Sequence, residues 1–479
     1  MNYRMIAQTL GLVLFIFAAL LLLPIICGLA FGENIFNFIA SAAVSAVLGF
    51  TLTRFRPESR TIYAREGFVL VGLSWILMGL IGALPFVISG DIPNYIDAVF
   101  ETISGLTTTG ASILTDIESL SRSGLFWRSF THWIGGMGVL VFVLAVLPLS
   151  GDHSMHIMRA EAPGPTVGKL VPRVRRTAII LYLIYGVLTV VETGLLMLGS
   201  MSFYDALLHA FATAGTGGFS TKAASIAAFD SAYIEMVMAF FLVLFGSNFN
   251  LYYLLLIGRV REVFKNEEFR CFLGIIFAVT LAIAIGICGI YGSFLTALRH
   301  AFFNVMSIIS TAGFCTVDYI QWPAYTHILI VFLMFIGGCA GSTGGGLKVS
   351  RVLLMFKSAM ADLARQASPR SVRRVQMDGR RVDEATLKVL GTFFFLYLVI
   401  LLFAALAVSM DGYDFTTSFT AALTCLSNVG PGLGKIGPTG GFYIFSPMVK
   451  ALMSLVMLIG RLEIFPILLL FTPAVWKRK

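Results

Sequence analysis

The sequence predicts an all-α polytopic membrane protein in which four pseudo-repeats surround one pore. Hydrophobic residues make up 58% of the 479 residues and charged residues 12%, whereas ordinary soluble domains carry about 25% charged residues. Apolar stretches long enough to cross a bilayer, about 20 residues each, recur from one end of the chain to the other. Four of the segments between them end in a short glycine-centred loop. We expect about ten transmembrane spans, at roughly 9–31, 35–53, 67–89, 128–148, 176–199, 232–257, 271–291, 325–356, 386–410 and 445–473.

The first two apolar stretches predict an N-terminal helical hairpin, residues 1–60. The first stretch is too long for a removable signal peptide and lacks a small-residue cleavage site, so we expect it to stay in the membrane. The remaining chain divides into four units of about 100 residues, each interpreted as span, pore helix, loop and span. The predicted boundaries of these four repeats are 61–160, 161–265, 266–375 and 376–479.

Charge asymmetry predicts the orientation of these spans. With the N-terminus in the cytoplasm, 25 of the 34 Lys and Arg residues fall on the cytoplasmic side and six on the outer side. The positive-inside rule therefore predicts that both termini are cytoplasmic, and the net charge of +9 requires no nucleic acid as partner. The outer side is rich in carboxylates, which concentrate cations near a pore mouth, although exposed loops also need charge to stay hydrated.

The four glycine-centred loops share one pattern. Each follows an amphipathic run, and the loop glycines are 108, 95 and 117 residues apart along the chain. With the predicted topology, all four loops enter from the outer side, so the repeats are parallel rather than inverted. The residues nine positions before the four glycines are Glu101, His209, Asn304 and Ala421.

Four such loops around one axis would form a ring of backbone carbonyls, which is how a protein replaces the hydration shell of an alkali cation. Glycine lets the backbone turn its carbonyls inward and lets the loops approach closely. Glycines that only pack helices are the alternative. Loops two and four depart from the pattern, at Gly217, Asn428 and Pro431, so the ring is only approximately fourfold. The predicted ion-binding residues are Thr108, Thr109, Gly110, Thr216, Gly217, Gly218, Thr311, Ala312, Gly313, Asn428, Val429 and Gly430.

These motifs resemble the Trk/Ktr/HKT superfamily of potassium transporters, and in particular its bacterial TrkH branch. The resemblance rests on the loops TTTGAS, TGGFST, TAGFCT and SNVGPGLG, and on HWIGGMGVLVFVLAVLP, GGCAGSTGGGLKVSRV and GRLEIFPILLLF. It implies potassium uptake across the bacterial inner membrane, with K⁺ as the transported ion. In this family the filter glycines mark the potassium site, and a serine at the first one accompanies sodium transport in plant relatives. All four are glycine here.

A second glycine-rich segment, residues 337–348, interrupts the predicted span 325–356. Its glycine content predicts unwound backbone, which is tolerated at membrane depth only where it lines a cavity or is buried in protein. A phosphate-binding loop is disfavoured, because the segment lacks the Gly-Lys-Ser/Thr ending and follows no strand. The resemblance implies an intramembrane gate below the filter. The predicted gate residues are Gly341, Ser342, Thr343, Gly344, Gly345, Gly346, Lys348 and Arg461.

Three charged residues inside apolar stretches remain open to more than one interpretation. Arg461 must face protein or water; the resemblance places an arginine beside the gating loop, and a structural pair with Glu463 is the alternative. Lys348 is either a gate residue or an anchor at the cytoplasmic end of a helix. Glu192 is either a polar helix contact or a functional carboxylate.

The longest predicted cytoplasmic loop, residues 357–388, suggests a docking surface together with Arg173–Arg176. The resemblance implies a homodimer that sits on a ring of separate cytosolic TrkA subunits. Those subunits bind adenine nucleotides, so we expect no nucleotide on this chain itself. Basic loops that only hold topology or contact anionic lipid are the alternative. The basic residues of the loop are Lys357, Arg365, Arg370, Arg373, Arg374, Arg380, Arg381 and Lys388.

The sequence disfavours an enzyme. No nucleophile and base are arranged for catalysis, and the six cysteines, with no CxxC pair, are typical of small apolar residues in a membrane rather than of disulfides or a metal site. A sensor or scaffold that keeps the fold without conducting ions is the alternative to a potassium transporter. Coupling to H⁺ or Na⁺, and permeability to NH₄⁺, stay open.

Overall fold

The computed structural model describes residues 1–55, 57, 63–138, 174–368 and 374–476. Among these residues, six helical segments are long and apolar enough to cross a membrane, and a seventh span results if one bent helix pair counts as one. The chain is therefore a mostly helical membrane protein, as the sequence predicts. The six segments are Tyr3–Phe31, Phe36–Thr53, Arg65–Ser89, Ala178–Leu198, Glu267–Tyr291 and Glu384–Ser409.

The first half of the described chain contains eleven helices. Their order alternates long apolar helices with the shorter helices that precede the glycine loops. The helices are α1 (Tyr3–Leu20), α2 (Leu22–Phe31), α3 (Phe36–Thr53), α4 (Ala64–Gly82), α5 (Leu84–Ser89), α6 (Tyr95–Leu106), α7 (Arg122–Gly136), α8 (Val174–Leu198), α9 (Phe203–Gly215), α10 (Ala232–Gly246) and α11 (Phe249–Leu256).

The second half contains ten more helices and one small sheet. Short 3₁₀ turns at Ser225–Phe229, Tyr319–Gln321, Gly434–Ile436 and Phe442–Ile444 lie in the segments that follow three of the glycine loops. The elements are α12 (Val260–Lys265), α13 (Glu267–Tyr291), α14 (Phe294–Ile309), α15 (Ala324–Ile336), α16 (Val349–Ala367), β1 (Gln376–Met377), β2 (Arg380–Arg381), α17 (Glu384–Ser409), α18 (Phe415–Ser427), α19 (Pro447–Arg461), α20 (Phe465–Leu470) and α21 (Pro473–Trp476).

The N-terminal hairpin is built on close backbone contact. A Cβ placed on Gly11 of α1 would lie 2.6 Å from the carbonyl oxygen of Gly49 in α3, and the Ser45 hydroxyl donates to the carbonyl of Leu14 at 2.8 Å. Small residues allow this approach between membrane helices. The paired positions run in opposite directions along the two helices, so α1 and α3 are antiparallel.

The other four predicted spans are not single continuous helices in the described chain. The predicted span 232–257 bends by 91° between α10 and α11, and the span 445–473 breaks between α19 and α20, where Glu463 and Ile464 have positive φ. The span 325–356 is interrupted between α15 and α16 by the glycine-rich segment, as its composition predicts. Residues 139–148 of the predicted span 128–148 lie outside the described residues, so the total of ten stays a prediction.

The loop between α16 and α17 contains an antiparallel β-hairpin, which the all-α prediction lacked. Gln376 pairs with Arg381 and Met377 with Arg380. The two turn residues, Asp378 and Gly379, both have positive φ, which is the requirement of a two-residue type I′ turn and explains the Asp-Gly sequence. Arg173, Arg370 and Arg373 of the predicted docking surface lie outside the described residues.

Candidate functional site

The four glycine loops leave their helices in the same backbone conformation. After each helix, one residue adopts a left-handed φ, and the amide of the next residue donates to the carbonyl five positions back, a Schellman closure. The amides of Thr109, Gly217, Ala312 and Val429 make this bond at 2.8, 2.8, 2.8 and 2.9 Å. The left-handed φ angles are 54° at Thr108, 52° at Thr216, 62° at Thr311 and 55° at Asn428, followed by 77° at Gly110, 82° at Gly218, 82° at Gly313 and 96° at Gly430.

Three of the left-handed positions carry threonine, although glycine usually occupies this place after a helix. A β-branched residue with positive φ is strained, and such strain is found where the surrounding structure fixes the backbone for a function. The side chains of Thr108, Thr216 and Thr311 are fully buried. The same strain in three loops therefore indicates a candidate functional site rather than simple connections between helices.

The four loops close into a ring. A Cβ added to Gly110 would overlap the carbonyl oxygen of Gly217 in the next loop, and the same test connects every neighbouring pair. The tight approach explains why each of these positions is glycine. Gly218 lies against the carbonyl of Ala312, Gly313 against that of Val429, and Gly430 against that of Thr109, where a Cβ would lie 2.7 Å from the oxygen.

In three loops, the side chain nine residues before the glycine bonds to the stretch that follows the glycine, which we call the outer limb of the loop. His209 Nε2 lies 2.9 Å from the Ser220 hydroxyl, and the Asn304 amide donates to Thr316 Oγ1 at 3.3 Å. Ala421 cannot brace the fourth loop, and Thr420 beside it accepts a hydrogen bond from the amide of Leu433 instead, at 3.0 Å. Glu101 accepts from the Ser112 hydroxyl at 2.9 Å and from the amide of Ile113 at 3.0 Å.

His132 of α7 joins α6, the helix before the first loop, to the second loop, a role that the sequence analysis missed. Its Nε2 accepts a hydrogen bond from the amide of Phe219 at 3.3 Å, so its Nδ1 carries the proton and donates to the carbonyl of Gly105 at 2.8 Å. A Cβ on Gly217 would overlap the imidazole ring. The sequence signal for this role was a histidine three residues before the Gly135–Gly136 pair. The partners of His132 could not be predicted, because they are distant in sequence.

The fourth loop has Asn428 at the left-handed position where the other three loops have threonine. Its side-chain amide donates to Thr109 Oγ1 and to the carbonyl of Met457, both at 3.0 Å. The departure from threonine therefore ties the fourth loop to the first loop and to α19. None of the twelve predicted ion-binding residues carries a carboxylate, and Gly110, Gly218 and Gly313 are partly accessible, whereas the residues on either side of each are buried.

The glycine-rich segment lies directly against the inner ends of the third and fourth loops. The amide of Gly345 donates to Thr311 Oγ1 at 2.7 Å, and a Cβ on Gly345 would overlap the carbonyl of Ser427. A Cβ on Gly344 would lie 2.7 Å from the carbonyl of Ser310. The backbone of the segment therefore packs directly against the backbone at the ends of α14 and α18, which only glycine permits at Gly344 and Gly345.

Arg461 holds the middle of this segment. Its guanidinium donates to the carbonyl of Thr343 at 2.6 Å and to the carbonyls of Gly135 and Gly136 at 2.6 and 2.7 Å. The carbonyls of Gly135 and Gly136 lie at the C-terminus of α7, and the C-terminus of a helix favours positive charge. Glu463, the alternative partner considered from the sequence, forms an ion pair with Arg351.

Two further charged side chains bind the same segment. Lys348 is buried, and its ammonium group donates to the carbonyl of Gly344. One carboxylate oxygen of Glu268, in the first turn of α13, accepts from the amide of Ala340 at 2.6 Å and from that of Ser350 at 3.1 Å. Glu268 thus joins the two ends of the segment. A cavity of about 1240 Å³ borders the segment and is lined by residues such as Gly341, Arg461 and Glu268.

Glu192 and the six cysteines are the remaining residues that the sequence analysis considered. Glu192 is fully buried in α8. The six cysteines are free, and the described residues include no group of three His, Cys, Asp or Glu side chains that could hold a metal ion.

Comparison with known proteins gives one consistent family. The family of TrkH cation transport proteins matches residues 32–478. Proteins named Trk system potassium uptake protein TrkH are similar to this chain: 39% identity in Salmonella typhimurium and 36% in Halomonas elongata, each over 100% of both chains. The crystal structure of the potassium transporter TrkH from Vibrio parahaemolyticus superimposes with a TM-score of 0.89 at 34% identity and covers 100% of both chains. These relatives are transporters and not enzymes, and this chain belongs to the TrkH family of cation transport proteins.

Proposed function

We propose that this protein takes up K⁺ across the bacterial inner membrane through a channel-like pore whose selectivity filter is the ring of four loops. The observation that carries the proposal is the cyclic contact of Gly110, Gly218, Gly313 and Gly430 with the next loop's carbonyl. Rings of backbone carbonyls replace the hydration shell of K⁺. The relatives, which are named as potassium uptake proteins, support the same ion.

The chemistry of the ring favours a monovalent cation. Divalent ions in proteins usually require carboxylate ligands, and the twelve ring residues offer only carbonyl, hydroxyl and amide oxygens. Thr108, Thr216 and Thr311 can add hydroxyl groups at the inner end of the ring. K⁺ is then the transported ion, with no resident cofactor and no nucleotide on this chain.

The order of helices supports four parallel repeats around one pore. In each proposed repeat, a helix of 12 to 16 residues precedes the loop: α6, α9, α14 and α18. The predicted boundaries at 61, 161, 266 and 376 then separate the repeats, and residues 1–60 form the hairpin outside them. With the N- and C-termini in the cytoplasm, the ring lies at the outer side and the cavity opens toward the cytoplasm.

The glycine-rich segment would act as the gate of this pore. It lies between the ring and the cavity, and Arg461 and Lys348 bring two positive charges to the path just below the filter. These charges would repel cations while the segment is in place. Displacement of Gly341–Gly346 would remove both the steric block and the carbonyls that hold the two cationic groups.

A chain of contacts connects this gate to the cytoplasmic surface. Asp378 in the hairpin turn accepts from the side chain of Asn266 at 2.9 Å and from the amide of Glu267 at 2.8 Å, at the start of α13. The next residue, Glu268, holds both ends of the glycine-rich segment. A partner that moves the hairpin would therefore act on the gate through one helix terminus.

We propose that this partner is a TrkA-like ring of nucleotide-binding subunits and that the transporter is a homodimer. The test is co-purification with such a ring at physiological salt, comparing wild type with charge reversal at Arg373/Arg374 and at Arg380/Arg381. Loss of binding in the reversed variants is expected, because docking depends on these charges. Undiminished binding would remove the loop from the interface, and no complex with wild type would contradict the regulatory proposal.

The transport proposal itself is tested with purified protein in liposomes. K⁺ flux should depend on the K⁺ gradient and exceed Na⁺ flux, and independent variation of the Na⁺ and H⁺ gradients would reveal any coupling. Absence of cation flux from folded protein, including the variant without Gly341–Gly346, would contradict the proposal and favour a non-conducting scaffold.

A further inference from the structure

A buried ion pair lies behind the filter between the first two loops. The carboxylate of Glu101 on α6 and the guanidinium of Arg128 on α7 are 2.6 Å apart, with side-chain exposures of 0% and 2%. Removing two charges from water is costly, and a buried pair is retained only where further hydrogen bonds satisfy both groups. The partners of each group therefore indicate what the pair holds.

Glu101 is bound to the first loop. Beyond Arg128, its carboxylate accepts from the Ser112 hydroxyl at 2.9 Å and from the amide of Ile113 at 3.0 Å. These residues lie two and three positions after Gly110, on the outer limb of the loop. The carboxylate thus fixes the point at which the first loop leaves the ring.

Arg128 is bound to the second loop at the matching place. Its Nη1 donates to the carbonyl of Ser220 at 3.1 Å, and its guanidinium carbon lies 3.5 Å from the centre of the Phe219 ring. These residues lie one and two positions after Gly218. A guanidinium over an aromatic face is attractive when desolvated, so Arg128 clamps backbone and side chain together.

At the other three junctions between neighbouring loops, neutral groups join the segments that follow the glycines. Cys315 donates its amide to Ser225 Oγ at 3.3 Å, the hydroxyl of Tyr319 donates to the carbonyl of Gly432 at 3.0 Å, and the amide of Phe442 donates to the carbonyl of Ser112 at 2.8 Å. Ion pairs also join the second repeat to the third, Arg299 with Glu235, and the fourth repeat to the first, Lys450 with Asp97. Among the described residues, Glu101 with Arg128 is the ion pair in which both charged groups also bond to residues of the glycine loops.

We infer that Glu101 and Arg128 are specificity-determining positioning residues, which fix the distance between the first and second loops where Gly110 meets the carbonyl of Gly217. The inference rests on the proposed filter. A carbonyl ring discriminates K⁺ from the smaller Na⁺ only if it resists contraction or offers a fixed number of ligands. Releasing the pair lets this quarter of the ring adjust to Na⁺, while K⁺ still passes.

The variants must remove both charges together, because a single neutralisation leaves an unpaired buried charge. The test protein is Glu101→Gln with Arg128→Gln. The matched control is Asp97→Asn with Lys450→Gln, which removes an ion pair of 2.8 Å one helical turn earlier on α6. Phe219→Leu is the second variant; it keeps an apolar side chain and both buried charges, and it removes the aromatic face under Arg128, which also packs against His132 at a centroid distance of 4.2 Å.

The measurement is the ratio of K⁺ to Na⁺ flux in liposomes. The double variant should lose about tenfold in this ratio, equivalent to one charged hydrogen bond, with K⁺ flux retained, and Phe219→Leu should lose about threefold or more. The control pair should keep the wild-type ratio. A wild-type ratio in the folded double variant would overturn the inference; if that variant does not fold, an unchanged ratio in Phe219→Leu overturns it.

These outcomes are distinct from failure of the proposed function. A wild-type protein without K⁺ preference would contradict the filter itself, whatever the variants do. A control pair that lowers the ratio as much as the test pair would assign the effect to general stability of α6 and would also overturn the positioning role.

Discussion

The ring of loops and the glycine-rich segment beneath it are in direct contact, yet they are held in different ways. Each loop is closed by backbone hydrogen bonds to its own helix, and side chains such as Glu101, His209 and Asn304 brace its outer limb. The middle of the glycine-rich segment is bound by the charged side chains of Arg461 and Lys348. Both regions make backbone hydrogen bonds to their surroundings, but the middle of the segment is also held by these two cationic side chains, whose contacts a single substitution can remove.

This difference matches the two tasks that we propose. A selective ring needs fixed positions, because small shifts change which ion it fits. A gate needs two positions of similar free energy, which requires contacts that can be exchanged. The Thr311 hydroxyl, which belongs to the ring and accepts from the amide of Gly345, is the point where the two regions meet.

The largest effect is expected at the tightest place in the ring. Gly110→Ser puts a side chain where Gly217 O already lies, at a φ of 77°, so the ring must deform. We expect the ratio of K⁺ to Na⁺ flux to fall by about tenfold or more, as the loss of one well-fixed ligand predicts. Gly430→Ser, with 2.7 Å to Thr109 O, should have a smaller effect, and equal ratios in wild type and Gly110→Ser would contradict the filter assignment.

The next effect is expected at the clamp on the gate. Arg461→Gln removes the charge that bonds Thr343 O, Gly135 O and Gly136 O. Charged hydrogen bonds contribute about 1.5–3 kcal/mol each, so basal K⁺ flux should rise about tenfold with the ion ratio unchanged. Lys450→Gln, at the other end of the same helix, is the control and should leave basal flux at the wild-type value.

A smaller effect is expected from the residue that joins the two ends of the segment. Glu268→Gln keeps an oxygen that can accept from the amides of Ala340 and Ser350 but loses the charge, so basal flux should rise about threefold. Glu267→Gln, in the adjacent position and paired with Lys357, is the matched control. Equal flux in the two variants would show that Glu268 is only a structural cap.

The smallest effect is expected at the N-terminus of α18, the helix that precedes the fourth loop. Asp414 caps α18, where it accepts from the hydroxyl of Thr417 at 2.6 Å and from its amide at 3.3 Å. Asp414→Ala should lower the free energy of unfolding by about 1 kcal/mol, measured by thermal unfolding in detergent, without changing the ion ratio. Ser293→Ala should have almost no effect, since Ser293 makes no side-chain cap bond on α14.

The same N-cap residue predicts the direction in which stability depends on pH. The hydrogen bond from the Thr417 hydroxyl lowers the pKa of Asp414 below its ordinary value. A carboxylate with a lowered pKa stabilises the fold above the unfolded pKa, about 4, and this contribution is lost as the pH falls through the folded value. The stability difference between wild type and Asp414→Ala should therefore shrink in acid.

The features that repeat along the chain were predictable from sequence, and those that depend on distant partners were not. The spacing of Gly110, Gly218, Gly313 and Gly430 indicated four equivalent loops, and the structure brings them together. The ion pair of Glu101 and Arg128 was not predicted, because Glu101, Arg128 and Ser220 are far apart in sequence and come together only in the folded structure. His132 escaped notice for the same reason.

Local signals were also missed where they were short. The Asp378–Gly379 turn is a hairpin signal inside a loop that the sequence analysis interpreted from its basic charge alone. The strain at Thr108, Thr216 and Thr311 was not predictable, because glycine normally takes that position after a helix. Only the close contact around each loop compensates for the unfavourable φ.

The most direct test removes the proposed gate and leaves the ring. Deletion of Gly341–Gly346, in a protein that still folds, should raise basal K⁺ flux in liposomes by tenfold or more, on the order of one lost charged contact, while the ratio of K⁺ to Na⁺ flux stays at the wild-type value. That result would separate the two regions as proposed. Basal flux at the wild-type level would make the segment a hinge or packing element, and a collapsed ion ratio would contradict the claim that the ring alone selects the ion.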